Sequence, residues 1–211
     1  MIKILLVDDH AIVREGLKRI IDETMGMQVT GEANNGSEAL KEVWTNKYDL
    51  ILLDISMPGG PNGLDVLKEI KSFDKNIPVL MLSMHSEDQY AKRTLKAGAS
   101  GYVTKDGASD LLVKAIRRVN DGGKFISPHL AEILAEDIGQ DSNKAPHELL
   151  SDREYEVLCL IASGKTISEI ASQLFLSVKT ISTYRSRILE KMNIKTNAEM
   201  TYYAISNSLV E

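Results

Sequence analysis

The chain has 211 residues, of which 43% are hydrophobic and 26% charged, and its formal net charge of −5 argues against a protein that coats nucleic acid with its whole surface. It contains no run of about 18 apolar residues that would predict a membrane span, and the N-terminal MIKILLVDDH differs from a signal peptide because its short apolar run ends in two aspartates. The single cysteine, Cys159, lies in the apolar stretch VLCLIA, which favours a core thiol in a reducing, cytoplasmic setting.

The first 122 residues alternate short apolar runs with amphipathic stretches. The apolar runs, predicted to be strands, are 3–7, 28–33, 50–54, 78–83 and 101–104. The stretches with helical periodicity are 11–22, 37–46, 64–72, 87–97 and 109–120. Nearly continuous apolar runs such as LILLD are typical of parallel strands that are buried on both faces. Five such β-α repeats predict an α/β, doubly wound, five-stranded parallel sheet with helices on both faces.

The composition changes after this part of the chain. Residues 123–147 hold one apolar-periodic piece, LAEILAEDI, and a polar tail, GQDSNKAPH, and we predict that they form a flexible linker between domains 1–122 and 148–211. Residues 148–211 show no strand pattern and predict a separate all-α domain. Its four predicted helices are 152–162, 167–174, 178–192 and 197–207. The second and third are joined by LFLS, a tight connection of helix-turn-helix length.

Capping residues mark the helix starts of this second domain. At three starts a Ser or Thr precedes a Glu by three residues, the spacing of a capping box, in which each side chain binds the other residue's backbone N–H. The three pairs are Ser151 with Glu154, Thr166 with Glu169, and Thr196 with Glu199. Ser177 is predicted to be a simple N-cap of the third helix.

Polar residues end or follow four of the predicted strands. In chain order they are Asp8 and Asp9, Asp54, Ser83, and Thr104 with Lys105. In a doubly wound sheet, ligands bind beyond the carboxyl ends of the strands, so we expect these side chains to share one edge. Clustered carboxylates repel one another unless a cation neutralises them, and an oxygen-only set of ligands suits Mg²⁺.

This set of groups is suited to phosphoryl transfer. An aspartate carboxylate can act as a nucleophile and form an acyl phosphate. Mg²⁺ and Lys105 would offset the charge on the phosphoryl oxygens, and Ser83 could hydrogen-bond to the phosphoryl group. Asp9 alone could be only a helix N-cap, and Lys105 alone only a solvated lysine, but the combined pattern on four strand ends favours a functional site.

Residues 1–122 resemble a receiver domain, which implies a flavodoxin-like strand order of 2-1-3-4-5. By position in the motif, the resemblance implies that Asp54 is the phospho-acceptor. It implies that the Mg²⁺ ligands are Asp8, Asp9, Asp54 and the backbone carbonyl of Ser56, with Asp9 favoured as the direct ligand of the acidic pair.

The resemblance also implies roles for residues near the fourth and fifth strands. Ser83 matches the switch hydroxyl, Tyr102 the switch aromatic residue, and Lys105 the lysine that contacts the phosphoryl group. His85 could line the rim of the site and influence how fast water attacks the acyl phosphate, or it could be an exposed loop histidine.

The loop after Asp54 departs from the receiver pattern D-x-x-M-P-x-x-x-G. Here the segment is DISMPGGPNG, with one extra residue between Pro58 and Gly63. The departure leaves the geometry of the following loop open.

The predicted helix 178–192 has two distinct faces on a helical wheel. Apolar residues cluster on one of them: Val178, Ile181, Ile188, Leu189 and Met192. The opposite face is polar: Lys179, Thr183, Ser186, Arg187 and Glu190, with Ser182 at its edge. With four basic residues and one acidic residue, the segment 179–191 has a net charge of +3. This pattern is typical of a recognition helix that packs its apolar face inward and presents its polar face to a DNA major groove.

The polar face predicts how this helix would contact DNA. Lys179 and Arg187 are expected to contact phosphates, while three hydroxyl side chains could reach base edges: Ser182, Thr183 and Ser186. Arg185 falls on the apolar side of the wheel, and we expect it to extend outward to a phosphate.

The segment LSDREYEVLCLIASGKTISEIASQLFLSVKTISTYRSRILEKMNI resembles the LuxR-type helix-turn-helix. With the receiver-like part, the whole chain is similar to the NarL/FixJ family of two-component response regulators. The segment TISTYRSR, with Tyr184, resembles the GacA/UvrY branch of that family.

The family resemblance implies a phosphorylation-dependent transcription regulator rather than an enzyme. A sensor histidine kinase would donate a phosphoryl group to Asp54, and a homodimer would then bind promoter DNA at two half-sites. In this family the unphosphorylated receiver commonly masks the recognition helix. The final helix, within NAEMTYYAISNSL, could form a dimer seam or could close the four-helix core.

Three other functions remain as alternatives. An aspartyl-nucleophile phosphatase usually has a second Asp two residues after the nucleophile, where this chain has Ser56. A phosphate-independent interaction module would not need the set of Asp8, Asp9, Asp54 and Lys105. The partner of the C-terminal domain could also be RNA or a protein.

Overall fold

The computed structural model describes residues 1–57, 60–84, 86–105, 108–139 and 145–210. The chain divides into two compact units, Met1–Leu134 and Ala135–Glu211. Among the described residues, no helix has the length and apolar character needed to cross a membrane.

The first unit is a five-stranded parallel sheet flanked by helices. Its strands are β1 (Ile2–Val7), β2 (Met27–Ala33), β3 (Leu50–Asp54), β4 (Val79–Ser83) and β5 (Gly101–Thr104). Its helices are α1 (Ala11–Asp22), α2 (Gly36–Thr45), α3 (Gly63–Phe73), α4 (Glu87–Lys96) and α5 (Ala108–Asn120). The strand order is β2-β1-β3-β4-β5, and all neighbouring strands are parallel. The predicted α/β doubly wound fold is confirmed, and each element lies within one residue of its predicted bounds.

The sheet is buried because both of its faces are covered. Alternate strand residues such as Ile4, Leu52 and Leu80 pack with α1 and α5 in one apolar cluster. The residues between them, such as Leu5 and Leu53, are also fully buried, and the period of two in a strand places them on the opposite face. All residues of β3 and β4 are buried, as their continuous apolar sequence predicts.

The strand order decides where polar groups can meet. In the register of β1 with β3, Val7 is paired with Leu53, so the next residues, Asp8 directly after β1 and Asp54 at the end of β3, lie at the same edge of the sheet. The order in which strands are added reverses between β1 and β3: β2 lies on one side of this point, and β4 and β5 lie on the other. Doubly wound folds bind ligands at such a switch point.

Among its described residues from Ala145 onward, the second unit contains a short 3-10 helix at Pro146–Leu149 followed by four packed helices. The helices are α7 (Asp152–Ala162), α8 (Ile167–Leu174), α9 (Val178–Met192) and α10 (Asn197–Ser206). Their fully buried side chains include Leu158, Ile170, Ile181, Ile188 and Met200. The predicted all-α helix-turn-helix domain is therefore confirmed.

The predicted N-caps of this unit are present, with one difference. Full capping boxes occur at Ser151 and Thr166, and Ser177 accepts from Thr180 N. Thr196 also caps its helix, but the Glu199 carboxylate accepts from Lys195 N rather than from Thr196 N. The third capping box is thus incomplete, because the Glu199 side chain binds the backbone N–H of Lys195, one residue before the N-cap.

The segment predicted to be a linker contains a helix, α6 (Pro128–Gly139). Leu130 in this helix is fully buried, and its backbone N–H donates to Ser127 Oγ at 3.0 Å. The apolar-periodic piece of the segment is therefore ordered as a helix. Residues 140–144 lie outside the described residues.

Candidate functional site

Asp54 ends β3 and is 1% exposed. Its Oδ2 lies 2.7 Å from Lys105 Nζ, and its Oδ1 accepts from Ser56 N at 3.3 Å. Burial raises the pKa of Asp54 to about 6; Lys105 acts to lower it, and the neighbouring Asp8 acts to raise it. Asp54 is therefore a buried carboxylate whose charged form Lys105 stabilises only in part.

Asp8, directly after β1, is fully buried beside Asp54. Its Oδ2 is 2.8 Å from Lys105 Nζ, and its Oδ1 accepts from His10 N at 2.9 Å. Its backbone carbonyl accepts from Arg14 Nη1 at 2.7 Å. These contacts fix Asp8 at the edge of the sheet.

Lys105 is the cation between the two buried carboxylates. Its side chain is 6% exposed. Burial acts to lower the pKa of Lys105, but the carboxylates of Asp54 and Asp8 outweigh it and raise that pKa. The lysine therefore stays charged, and the sequence prediction that it shares an edge with these aspartates agrees with its position.

The acidic groups fit a divalent cation. Asp8, Asp9, His10 and Asp54 each offer one ligand atom, and these atoms lie within 4.8 Å of one another. Among the described residues, no hydrogen bond of normal geometry reaches two buried oxygens, Asp8 Oδ2 and Asp9 Oδ1, although each has a basic nitrogen 2.8 Å away, on Lys105 and His10 respectively. Buried carboxylate oxygens without hydrogen bonds are costly, and a hard cation would satisfy them.

His10 belongs to this cluster although sequence reasoning did not select it. Its Nδ1 lies 2.8 Å from Asp9 Oδ1. Its place directly after Asp9 was the available indication, because a residue that follows a strand end stays near that edge of the sheet.

Ser83 and Tyr102 lie on β4 and β5 and are both fully buried. The Tyr102 hydroxyl donates to Ser86 O at 3.4 Å. Burial raises the pKa of Tyr102, and a hydrogen bond with Ser83 acts in the opposite direction. A neutral tyrosine hydroxyl thus joins the end of β4 to the start of α4. His85 lies outside the described residues.

The loop with the extra residue returns closely to Asp54. Pro58 and Gly59 lie outside the described residues, but Gly63 N donates to Ile55 O at 2.9 Å. A Cβ atom on Gly63 would lie 2.0 Å from the Asp54 carbonyl oxygen. The backbone after Asp54 therefore needs glycine at this position in spite of the longer loop.

On α9, the polar and apolar faces are largely as predicted. The predicted DNA-contacting residues are all exposed: Lys179, Ser182, Thr183, Ser186 and Arg187. Ile181, Ile188 and Met192 are buried. A groove of about 320 Å³ runs along the polar face and is lined by Ser177, Lys179, Thr180, Thr183, Tyr184 and Arg187.

Two residues of α9 differ from expectation. Val178 was placed on the inward face but is 51% exposed, because it is the first helical residue and the buried stripe begins only at Ile181. Arg185 Nε donates to Asn197 Oδ1 at 2.6 Å. The Arg185 side chain therefore ties α9 to the first residue of α10, a partner that wheel geometry does not reveal.

Helix α10 has both a buried and an exposed face. Met200 and Ala204 are fully buried in the helical core, whereas Tyr202 is 76% and Ile205 56% exposed. Tyr203 OH lies 2.8 Å from His147 Nδ1. The helix thus closes the four-helix core, which was one of the two functions that the sequence allowed for it. Its outer face retains exposed apolar groups.

The parallel sheet with its buried Asp–Lys edge, followed by a four-helix unit with a helix-turn-helix, defines a two-component response regulator. A family model described as "Response regulator receiver domain" matches residues 4–117, and one described as "Bacterial regulatory proteins, luxR family" matches residues 148–204. The chain belongs to the response regulators that join these two domains. Such a protein is a phosphorylation-dependent transcription regulator of a two-component system and not an enzyme.

Known relatives match over nearly the whole chain. Response regulator UvrY of Escherichia coli (strain K12) is 38% identical over 210 residues, which cover 99% of this chain and 96% of UvrY. Response regulator GacA of Pseudomonas syringae pv. syringae is 38% identical over 212 residues, which cover 100% and 99%. The structure of RcsB from Salmonella enterica serovar Typhimurium bound to promoter rprA with the phosphomimetic BeF3- has a TM-score of 0.67 and 26% identity, with 98% of this chain and all of that chain covered. A further RcsB structure contains two dimers bound to two parallel DNAs.

Proposed function

We propose that Asp54 accepts a phosphoryl group from a sensor histidine kinase, and that the phosphorylated protein dimerises and binds promoter DNA through α9. The observation that carries the first part is the burial of Asp54 with Asp8 around Lys105 Nζ, at 2.7 and 2.8 Å. A partly uncompensated carboxylate at the edge of a parallel sheet is suited to nucleophilic attack on phosphorus.

In the transfer step, an Asp54 oxygen forms the new bond to phosphorus while the bond to the histidine nitrogen of the kinase breaks and that nitrogen keeps the electron pair. Lys105 lies where it can offset the charge on the phosphoryl oxygens. Asp9, Asp54 and the backbone carbonyl of Ser56, with Asp8 beside them, would hold Mg²⁺, which supplies further positive charge to those oxygens. The resulting acyl phosphate is the signalling form of the protein.

The buried Ser83 and Tyr102 are suited to transmit this change. Ser83 ends β4, the strand next to β3, and directly follows Leu82, the register partner of Asp54, so its hydroxyl could bind a phosphoryl group on Asp54. Tyr102 is hydrogen-bonded to Ser83 and to the backbone of Ser86, before α4. A shift of Ser83 toward the phosphoryl group would therefore alter the surface formed by α4, β5 and α5.

For the output, α9 presents its exposed polar face to a major groove, with Lys179 and Arg187 on phosphates and Ser182, Thr183 and Ser186 at base edges. RcsB, a structural relative, is bound to promoter DNA in its structure, which supports duplex DNA as the ligand here. The exposed Tyr202 and Ile205 of α10 are candidates for the dimer contact. A cytoplasmic location is consistent with these partners and with the buried thiol of Cys159, the single cysteine of the chain.

Incubation with acetyl phosphate and Mg²⁺, followed by a Phos-tag gel, tests the acceptor. Asp54→Asn should abolish labelling. Asp49→Asn is the matched control, because Asp49 is exposed and lies just before the opposite end of the same strand, and it should label as the wild type does. Full labelling of Asp54→Asn would overturn the assignment, and labelling that does not need Mg²⁺ would overturn the cation site.

Two further comparisons separate the alternatives. Turnover of a generic phosphate ester would indicate a phosphatase; we expect none, since Ser56 occupies the position of the second aspartate. Filter binding of the acetyl-phosphate-treated protein should favour duplex DNA over RNA of the same sequence. Equal or stronger binding of RNA would remove DNA as the proposed ligand.

A further inference from the structure

The start of α9 carries exposed apolar side chains. Val178, its first residue, is 51% exposed, and Phe175 in the preceding turn is 70% exposed. Phe175 has a left-handed backbone conformation with φ of 54°, which is unfavourable for a bulky side chain. In contrast, Ile181 and Ile188 further along α9 are fully buried. The apolar groups at this end therefore contribute little to the core of the unit.

The position of Val178 on the helix is more informative than its exposure, because single exposed apolar residues are common. Val178 lies between the N-cap Ser177 and the exposed Lys179. It precedes Ser182 by one helical turn, so the two side chains are neighbours on the helix surface. The N-terminal residues of a recognition helix contact base edges, and the helix dipole and Lys179 attract this end to phosphates.

Only one base presents an apolar group on the major-groove edge, and that group is the C5 methyl of thymine. The isopropyl group of Val178 can neither donate nor accept a hydrogen bond, so it cannot recognise any other base edge specifically. We propose that Val178 contacts the C5 methyl group of a thymine in each half-site and thereby helps to determine operator specificity. This inference rests on the proposed binding of duplex DNA by α9.

Replacement of thymine by uracil tests the contact directly, because it removes the methyl group and leaves base pairing intact. The full-length protein, treated with acetyl phosphate and Mg²⁺, first selects duplexes from a random pool. Each thymine of the selected duplex is then replaced singly by deoxyuridine. At one position in each half-site, the change should weaken wild-type binding by about fourfold, the effect of one buried methyl group. For Val178→Ala the same change should have no effect on affinity.

Leu149→Ala is the matched control, because Leu149 is 53% exposed and lies in the 3-10 helix rather than on α9. It should respond to uracil as the wild type does. Wild-type binding that ignores every thymine-to-uracil change, or an equal response in Val178→Ala, would overturn this inference and leave the proposed function intact. If no duplex is enriched at all, DNA binding itself fails, and the inference with it.

Discussion

Lys105 Nζ lies 2.7 Å from Oδ2 of Asp54, and the two side chains are only 6% and 2% exposed. This pair joins residues 51 positions apart in the chain. One buried lysine faces two buried carboxylates here, so the site as a whole carries excess negative charge.

The raised pKa of Asp54 makes stability depend on pH. Because its folded-state pKa is about 6 and that of an unfolded aspartate is about 3.9, the protonated form contributes stability below about pH 4. That contribution is lost as the pH rises through 6. In metal-free buffer, Asp54→Asn should therefore raise the free energy of unfolding by up to about 3 kcal/mol at pH 7.5 and by little at pH 4.

Urea unfolding followed by the fluorescence of Trp44, the single tryptophan, measures this effect in the first unit. Asp49→Asn, which changes an exposed carboxylate, should not reproduce the gain that Asp54→Asn gives at pH 7.5. An equal gain for Asp54→Asn at both pH values would contradict the buried-carboxylate explanation.

Gly63→Ala should impair both folding and phosphoryl transfer. The added Cβ would lie 2.0 Å from the Asp54 carbonyl oxygen, so the backbone that positions Asp54 must move. We expect a loss of about 1–3 kcal/mol in stability and a fall in the acetyl-phosphate labelling rate of about tenfold or more. The control is Gly16→Ala, where nothing lies within 4 Å of the new Cβ and helix propensity predicts a gain of about 0.5–1 kcal/mol. Normal labelling of Gly63→Ala would show that the loop adapts.

Lys179→Ala should weaken DNA binding to the same degree for every sequence. Lys179 is exposed at the second position of α9, where it can neutralise one phosphate. Loss of one such contact should reduce the slope of log affinity against log salt concentration by about one unit. Lys195→Ala, an exposed lysine beyond the other end of α9, serves as control. An unchanged slope for Lys179→Ala would remove this residue from the phosphate contacts.

Glu154 links α7 to the end of α9. Its side chain is 3% exposed and its Oε2 lies 2.6 Å from Lys191 Nζ; it also accepts from Ser151 N at 2.8 Å. Burial acts to raise the pKa of Glu154, but the bonds from Lys191 and Ser151 outweigh it and lower that pKa. The stability it contributes is present above the unfolded pKa of about 4.3 and is lost as the pH falls through the lower folded value.

Glu154→Gln should therefore destabilise the helical unit by about 1–3 kcal/mol at pH 7, and the difference from wild type should shrink on acidification. Circular dichroism in urea follows the helices of both units, while Trp44 fluorescence reports the first unit alone and should not change. A change seen only by circular dichroism therefore belongs to the helical unit. A difference that persists undiminished at low pH would mean that packing, rather than charge, accounts for the effect.

Much of the fold follows from local patterns in the sequence. Apolar runs and apolar periodicity predicted the five strands and the helices α1–α5 and α7–α10, because burial patterns are a local property of each element. The helix α6, Pro128–Gly139, was missed, because its segment was predicted to be a linker. Capping at Ser151 and Thr166 involves residues three apart, so it too could be predicted. The meeting of Asp8, Asp54 and Lys105 was predictable once the sheet was known to be parallel, since all strand ends of one kind share an edge.

Other features depend on contacts between residues far apart in sequence, and only the tertiary structure decided them. The pKa of Asp54 is set by its burial and by Lys105, neither of which a single sequence position reveals. Val178 follows the apolar stripe of α9 on a helical wheel but is exposed, because no core lies over the first turn. Arg185 pairs with Asn197 rather than pointing freely to solvent. A sequence encodes periodicity along each element, whereas burial and charge pairing arise from how the elements pack together.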